Sequence, residues 1–313
     1  MRGLELARRF YETYGAPMLR EQFAAFEEVI AVGLCGSGSE CFGYDDDVST
    51  DHDFEPGFCL FLPGEDVIDR RTAFLLERAY AKLPKELEGF TRSLMNPVGG
   101  NRHGVLRMDE FFLSKVGSPD GSLTAAQWLT TPEFYLAEVT NGAVFRDDCG
   151  AFTAIREKLA YLPEDVRKKK LAGELLTMAQ SGQYNYNRCL RHGETGAAQL
   201  AAIEFVRAAI HTVFLLNKAY LPYYKWQFRA LRELPELSEL AQPLYFLIST
   251  GNSADEMMDK YAGIENIASA VIGKLQEQGI TEATCGDLSK HANSVNDHVL
   301  SPALRNEDLF FGV

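Results

Sequence analysis

Apolar side chains recur at helical spacing from Leu4 through Leu6, Ala7, Phe10 and Tyr11 to Tyr14, and the run meets Gly15-Ala16-Pro17. That pattern predicts a helix stopped by the glycine and proline, with Pro17 in the first turn of a second helix reaching about Glu28. The period then changes. Val29 to Leu34 is an unbroken apolar run, the mark of a buried strand, and it breaks into Gly36-Ser37-Gly38-Ser39. A second buried run, Phe58 to Leu62, closes at Pro63-Gly64, and Asp66 to Leu83 returns to an amphipathic helix. Residues 84–102 read as loop. His103 to Met108 reads as a third strand, with Asp109 placed to cap the helix Glu110 to Val116. Helical pieces around Ala125–Leu129 and Pro132–Val139 lead to the turn signal Asn141-Gly142 and a short strand, Ala143 to Phe145.

Beyond Gly150 the pattern is helical throughout, over 151–161, 163–181, 197–221, 227–233, 236–249 and 254–278. The expected fold class is therefore α+β: an α/β domain with a small mixed sheet over residues 1–150, followed by an all-α helical bundle over 151–313. The tail from Asp297 to Val313 stays open between an extended segment and a short helix.

Composition narrows the function classes. The chain has 313 residues, 46% of them hydrophobic and 24% charged, as in an ordinary globular protein of about two domains. No apolar run reaches the ~18 residues of a membrane span, and the N-terminus lacks a signal-peptide core. Six cysteines without a CxxC pair predict reduced thiols and a cytoplasmic setting. A net charge of −13 disfavours non-specific nucleic-acid binding and favours a small acceptor, with Lys168-Lys169-Lys170 read as a solvated helix face.

The chemistry concentrates between Leu34 and Leu62. Backbone amides in the turn Gly36 to Ser39 are able to point at an anion, and the serine hydroxyls add donors. Asp51 and Asp53, one residue apart on an extended segment, put two hard carboxylates on one face, a ligand pair for Mg2+ or Mn2+ in phosphoryl chemistry. Asp51 and Asp53 also read as part of a solvated acidic loop with Asp45, Asp46 and Asp47. A calcium loop is disfavoured, because the central glycine and terminal glutamate are absent.

The run Gly38-Ser39 to Gly43 followed by Asp51-His52-Asp53-Phe54 resembles the Gly-Ser and Asp-x-Asp signature of the DNA polymerase beta-like nucleotidyltransferase superfamily. With Tyr223-Tyr224-Lys225-Trp226 and the segment from Thr140 to Asp147, the likeness narrows to a bacterial nucleotidyltransferase-like family and runs from about Glu28 to about Leu247. The resemblance implies transfer of a nucleoside monophosphate from a nucleoside triphosphate, ATP being the expected one, to a small-molecule or protein hydroxyl, with release of pyrophosphate. It implies Ser37, Gly38 and Ser39 at the phosphates, Asp51 and Asp53 on the metal, and Lys225 and Tyr224 at the nucleotide. Asp109 is the nearest third carboxylate, with the helix cap as its other reading. Arg207 and His211 resemble the arginine–histidine pair of some helical ribonuclease domains, but their one-turn spacing favours His211 as an interior histidine. His52 is read as a structural or supporting group, and His103 as a candidate for contacting substrate. The alternative functions are a non-catalytic nucleotide-binding regulator and an antitoxin-like interaction protein.

Overall fold

The computed structural model describes residues 2–46, 55–92 and 102–313. The chain forms two compact units, one comprising 1–123 with 135–160 and the other 124–134 with 161–313.

The first unit is built on four strands: β1 (Ala31–Leu34), β2 (Cys59–Leu62), β5 (Gly104–Arg107) and β6 (Ala143–Arg146), in the order β5-β2-β1-β6. β1 runs antiparallel to β2 and to β6, whereas β2 and β5 are parallel, so the sheet is mixed. Gly33 faces Cys59 across the β1–β2 pair. The chain therefore leaves β1 at the same end of the sheet at which it enters β2. A two-stranded hairpin, β3 (Glu86–Leu87) and β4 (Phe90–Thr91), lies within the stretch read as loop. Its two-residue turn is Glu88-Gly89, both at positive φ, which matches the twist of the flanking strands.

β2 is buried on both faces, which accounts for its unbroken apolar run. Phe58, Leu60 and Leu62 enter a core with Phe10, Leu76 and Tyr80, contributed by helices α1 (Gly3–Phe10) and α4 (Arg70–Ala81). The Tyr80 hydroxyl donates to the Phe58 carbonyl at 2.8 Å and accepts from the Phe58 N–H at 3.1 Å. On the other face Phe61 stacks on Phe152 at 4.0 Å, beside Phe111 and Phe112. Phe152 belongs to α8 (Ala151–Lys158), so this helix, which the composition change at residue 150 assigns to the helical half, packs into the first unit.

Gly15 does not stop the first helix. A π-helical turn, Tyr11–Gly15, joins α1 to α2 (Ala16–Gln22) and absorbs the missing N–H of Pro17. The glycine is needed for space, because a Cβ there would lie 2.4 Å from the Phe58 ring. The remaining helices of this unit are α3 (Ser39–Phe42) and α5 (Met108–Val116).

In chain order, α6 (Ala125–Thr130) opens the second unit, and the division between units falls within α7 (Glu133–Thr140). The second unit is helical. Its spine is α11 (Thr195–Leu216), which packs on α9 (Glu164–Met178), α13 (Ala241–Ser249) and α14 (Ala254–Glu277). Helix α11 is long and apolar enough by length and composition to cross a bilayer, and 61% of its most apolar window is buried. The π-helical segment Ala179–Tyr186 continues α9, and its Gly182 lies under Phe205, where a Cβ would approach the ring to 2.3 Å. The tail is ordered by α15 (Leu288–Asp297), which lies along α9, and by the short α16 (Pro302–Arg305). Two shorter helices, α10 (Asn187–Arg191) and α12 (Gln227–Leu231), complete the unit.

The three lysines expected on a solvated face turn inward instead. Lys169 and Lys170 are buried; Lys169 donates to the Glu307 carbonyl at 2.7 Å and Lys170 to that of Gly312 at 3.0 Å. Lys168 reaches the His298 carbonyl at 3.1 Å. The carbonyls of the last sixteen or so residues thus supply the acceptors that bury a basic helix face, a pattern unreadable from local periodicity.

One glycine tests the packing of the first unit. Gly142 sits at φ +66, and a Cβ there would lie 2.0 Å from the Leu34 carbonyl oxygen. Gly142→Ala is expected to lower stability by at least about 1–3 kcal/mol, the usual scale for forced backbone strain. Chemical denaturation measures it, and an unchanged midpoint would contradict this packing.

Candidate functional site

After β1 the chain turns through Cys35 to Gly38, with Gly36 at φ +133, a conformation open to glycine. Asn141, from the turn between α7 and β6, holds the Gly36 peptide at both ends. Its Oδ1 accepts the Gly36 N–H at 2.9 Å, and its Nδ2 donates to the Gly36 carbonyl at 2.8 Å. The next residue, Gly142, donates its N–H to the Cys41 carbonyl at 2.9 Å. Arg156 of α8 in turn donates to the carbonyls of Thr140 at 2.6 Å and Asn141 at 2.5 Å. The segment from Thr140 to Asp147, singled out by sequence, is thus the clamp on the glycine–serine turn.

A cavity of about 330 Å³ opens beside this turn. Gly36, Ser37 and Gly38 form one wall; Arg102, Arg107, Glu110 and Lys115 stand around the rest, with buried Glu40 beneath. Glu110 and Ser114, one turn apart on α5, both face the cavity. Arg107 donates to the Pro63 carbonyl at 2.6 Å, and Lys115 pairs with buried Glu138 at 2.5 Å. Three cations stand against two carboxylates on the lining, Lys115 being shared with Glu138 outside it, in a chain whose net charge is −13. Cations beside such a turn are able to meet an anion.

The thiols of Cys35, Cys41 and Cys59 also line the cavity. Burial pushes Cys35 up to about 12 and Cys41 and Cys59 well above the usual thiol range, so all three stay protonated near neutrality. They are packing groups rather than nucleophiles.

The predicted residues fall in different places. Ser37 and Gly38 are on the cavity wall. Ser39 opens α3 but is not part of the lining. Asp51, His52 and Asp53 lie outside the described residues. Asp109 is exposed inside the first turn of α5, where its carboxylate accepts the Glu110 N–H at 2.9 Å. It does not cap the helix, because α5 begins at Met108 and the cap position falls on Arg107. Its neighbour Glu110, not singled out by sequence, is the carboxylate that reaches the cavity. Among the described residues no group of three His, Cys, Asp or Glu side chains is arranged to hold a metal ion. His103 is half-buried, 3.4 Å from Glu55.

In the second unit, Lys225 is exposed, with its ammonium 4.8 Å from the centre of the Trp226 ring. Tyr224 lines a separate cavity that also holds His211. His211 is an interior histidine: Nε2 lies 2.8 Å from Glu133 and Nδ1 2.6 Å from Glu174. Burial alone would lower its pKa, but the two carboxylates outweigh that and raise it to about 10, so His211 is an imidazolium at neutral pH. Burial likewise pushes Glu133 upward, while His211, Lys170 and the Leu221 N–H together bring it below the usual range. The sequence spacing placed Arg207 and His211 on one face of α11. Glu133 and Glu174 belong to other helices, and no local pattern links them to His211.

The profile of a family described as "Domain of unknown function (DUF4037)" matches residues 128–227, less than half of the chain. The matched stretch contains the clamp residues Asn141 and Arg156 as well as Glu133, Glu174, His211 and Tyr224. It does not reach the turn Gly36 to Ser39. No curated protein matches the chain.

The buried imidazolium carries a pH signature. A raised folded-state pKa stabilises fully below the ordinary value of 6.5, and that contribution is lost as pH rises towards about 10. At pH 6, His211→Gln is expected to cost about 3–5 kcal/mol, since two buried carboxylates lose their cation. The gap between wild type and variant should narrow steadily above pH 6.5. Urea denaturation across pH 6–10 measures it, and a gap independent of pH would contradict the charged state assigned to His211.

Proposed function

We propose that the chain is a nucleotidyltransferase that binds a nucleoside triphosphate at the turn Gly36 to Ser39 and transfers its nucleoside monophosphate to a hydroxyl acceptor. The observation that carries this reading is the cavity beside the turn, where Arg102, Arg107 and Lys115 share a wall with Gly36, Ser37 and Gly38. With the Gly36 N–H held by Asn141, the backbone donors of Ser37 and Gly38, next to cations, are what a polyphosphate requires. The likeness of Gly38-Ser39 and Asp51-His52-Asp53 to the polymerase beta-like signature supports the same reading.

In the transfer, the acceptor oxygen forms a bond to the α-phosphorus as the bond to pyrophosphate breaks, and the acceptor's proton is lost to solvent or base. Lys115 and Arg102 hold negative charge on the phosphates, and the turn orients them against the acceptor. Asp51 and Asp53, as the resemblance implies, would hold magnesium, which would supply charge neutralisation for the leaving group. Transfer to a small acceptor fits the acidic chain better than transfer to a nucleic acid.

A second reading, nucleotide binding without turnover, is favoured by one observation. Asp109, the expected third carboxylate, is exposed and off the cavity wall. The two readings separate in one assay. The protein is incubated with each of the four nucleoside triphosphates, magnesium or manganese, and a panel of hydroxylated acceptors, with pyrophosphate as readout. Metal-dependent release that disappears in Asp53→Asn is the expected result. Lys115→Ala should weaken ATP about tenfold or more while affecting AMP much less, the scale of one charge-assisted contact. ATP affinity unchanged in Lys115→Ala would remove the cavity from the reading, and tight binding without pyrophosphate would favour the non-catalytic one.

A further inference from the structure

The second unit contains a cavity of about 630 Å³ that nucleotidyl transfer at the first unit does not use. Its charged lining comes from facing helices: Lys170 and Glu174, one turn apart on α9, and Arg207 and His211, one turn apart on α11. Glu133, from α7, completes the group.

The donors and acceptors on this lining are unevenly committed. His211 spends both ring nitrogens on carboxylates, at 2.8 Å to Glu133 and 2.6 Å to Glu174. Glu133 also accepts the Leu221 N–H at 3.1 Å and lies 3.8 Å from Lys170. The acids are thus already engaged. The cations have capacity to spare. Lys170, 4% exposed, donates to the Gly312 carbonyl at 3.0 Å, which occupies one of its three N–H groups. Arg207 pairs with Glu204 at 3.6 Å on a mostly exposed side chain, leaving most of its five donors free for a ligand. Burial lowers the Lys170 pKa against the pull of Glu133 and Glu174, so an added anion would be matched by a strengthened positive charge.

The mouth of the same cavity is aromatic. Tyr223, Tyr224 and Phe310 are 43%, 71% and 42% exposed, although each is large and largely apolar. Tyr223 and Tyr224 lie 4.5 Å apart, and Tyr223 meets Phe134 edge-on at 5.6 Å. Exposed rings grouped at one opening form a surface on which a planar ligand is able to stack.

We propose that this cavity binds a small ring-bearing anion, a phosphate or carboxylate carried on a planar ring, with the anion at Lys170 and Arg207 and the ring against Tyr223 and Tyr224. The volume is in the range of small-molecule sites. Phosphate and carboxylate share this chemistry, and the test separates them.

Calorimetry on the full chain uses AMP, phenyl phosphate and benzoate as probes, with adenosine (ring without anion) and inorganic phosphate (anion without ring) as controls. At least one ring-bearing anion should bind, and each control should bind about tenfold more weakly or worse. Phenyl phosphate above benzoate identifies a phosphate site, and the reverse order a carboxylate site. Arg207→Ala and Tyr224→Ala remove exposed side chains and should each weaken binding about tenfold, whereas Arg102→Ala, in the first unit, should not. No binding of any probe near ~1 mM, affinity unchanged in both second-unit variants, or loss in Arg102→Ala alone would overturn the proposal.

Discussion

Asn141 grips the Gly36 peptide by its N–H and its carbonyl at once, and the shape of the glycine–serine turn depends on that grip. A glycine at φ +133 has few conformational preferences of its own, so an external clamp must select the conformation. Only a carboxamide offers a donor and an acceptor in one plane to satisfy both halves of a peptide. The clamp is itself held, because Arg156 binds the Asn141 carbonyl and Gly142 binds Cys41. Leaving the buried Gly36 groups unpaired would cost about 1–3 kcal/mol each. The course of the turn therefore follows from a residue more than a hundred positions later in the chain.

The helical unit follows a different rule. It buries Arg167, Lys169, Lys170 and Lys260 almost completely and His211 in large part, which is costly unless each cation finds acceptors. They do. Arg167 meets Glu164 and the Leu215 carbonyl, Lys260 meets Gln199 and the Thr250 carbonyl, and His211 takes two carboxylates. Directional contacts of this kind fix how helices and tail segments register, a constraint that apolar packing alone leaves loose. A lining with spare donors then arises where the pairing stops short, at Lys170 and Arg207.

Much of the fold was legible because periodicity is local. The strand at Val29–Leu34 became β1 after a turn of 3-10 helix, Phe58–Leu62 became β2, and the helix read over 66–83 became α4, capped by Asp69 on the Thr72 N–H. The failures share a cause. Gly15 looked like a stop, yet it is a glycine because Phe58 crosses it. Lys168 to Lys170 looked solvated, yet their acceptors come from the far end of the chain. The hairpin around Glu88-Gly89 lacks the Asn or Asp that usually marks such a turn. Of the site, Ser37 and Gly38 were visible as a motif. Glu110, Lys115 and the Glu133–His211–Glu174 group were not, since each reaches its place through tertiary contacts. α15, with Leu288, His291, Ala292 and Val295 buried at helical spacing, was not read from the sequence, being short.

The most direct measurement is amide chemical-shift mapping of the full chain titrated with magnesium and a non-hydrolysable ATP analogue. If the turn held by Asn141 receives the phosphates, the N–H signals of Gly36, Ser37, Gly38 and Ser39 move most, together with those of α5 around Lys115. Shifts confined to α9, α11 and the Tyr223–Tyr224 segment, or none at saturating analogue, would contradict phosphate binding at the glycine–serine turn.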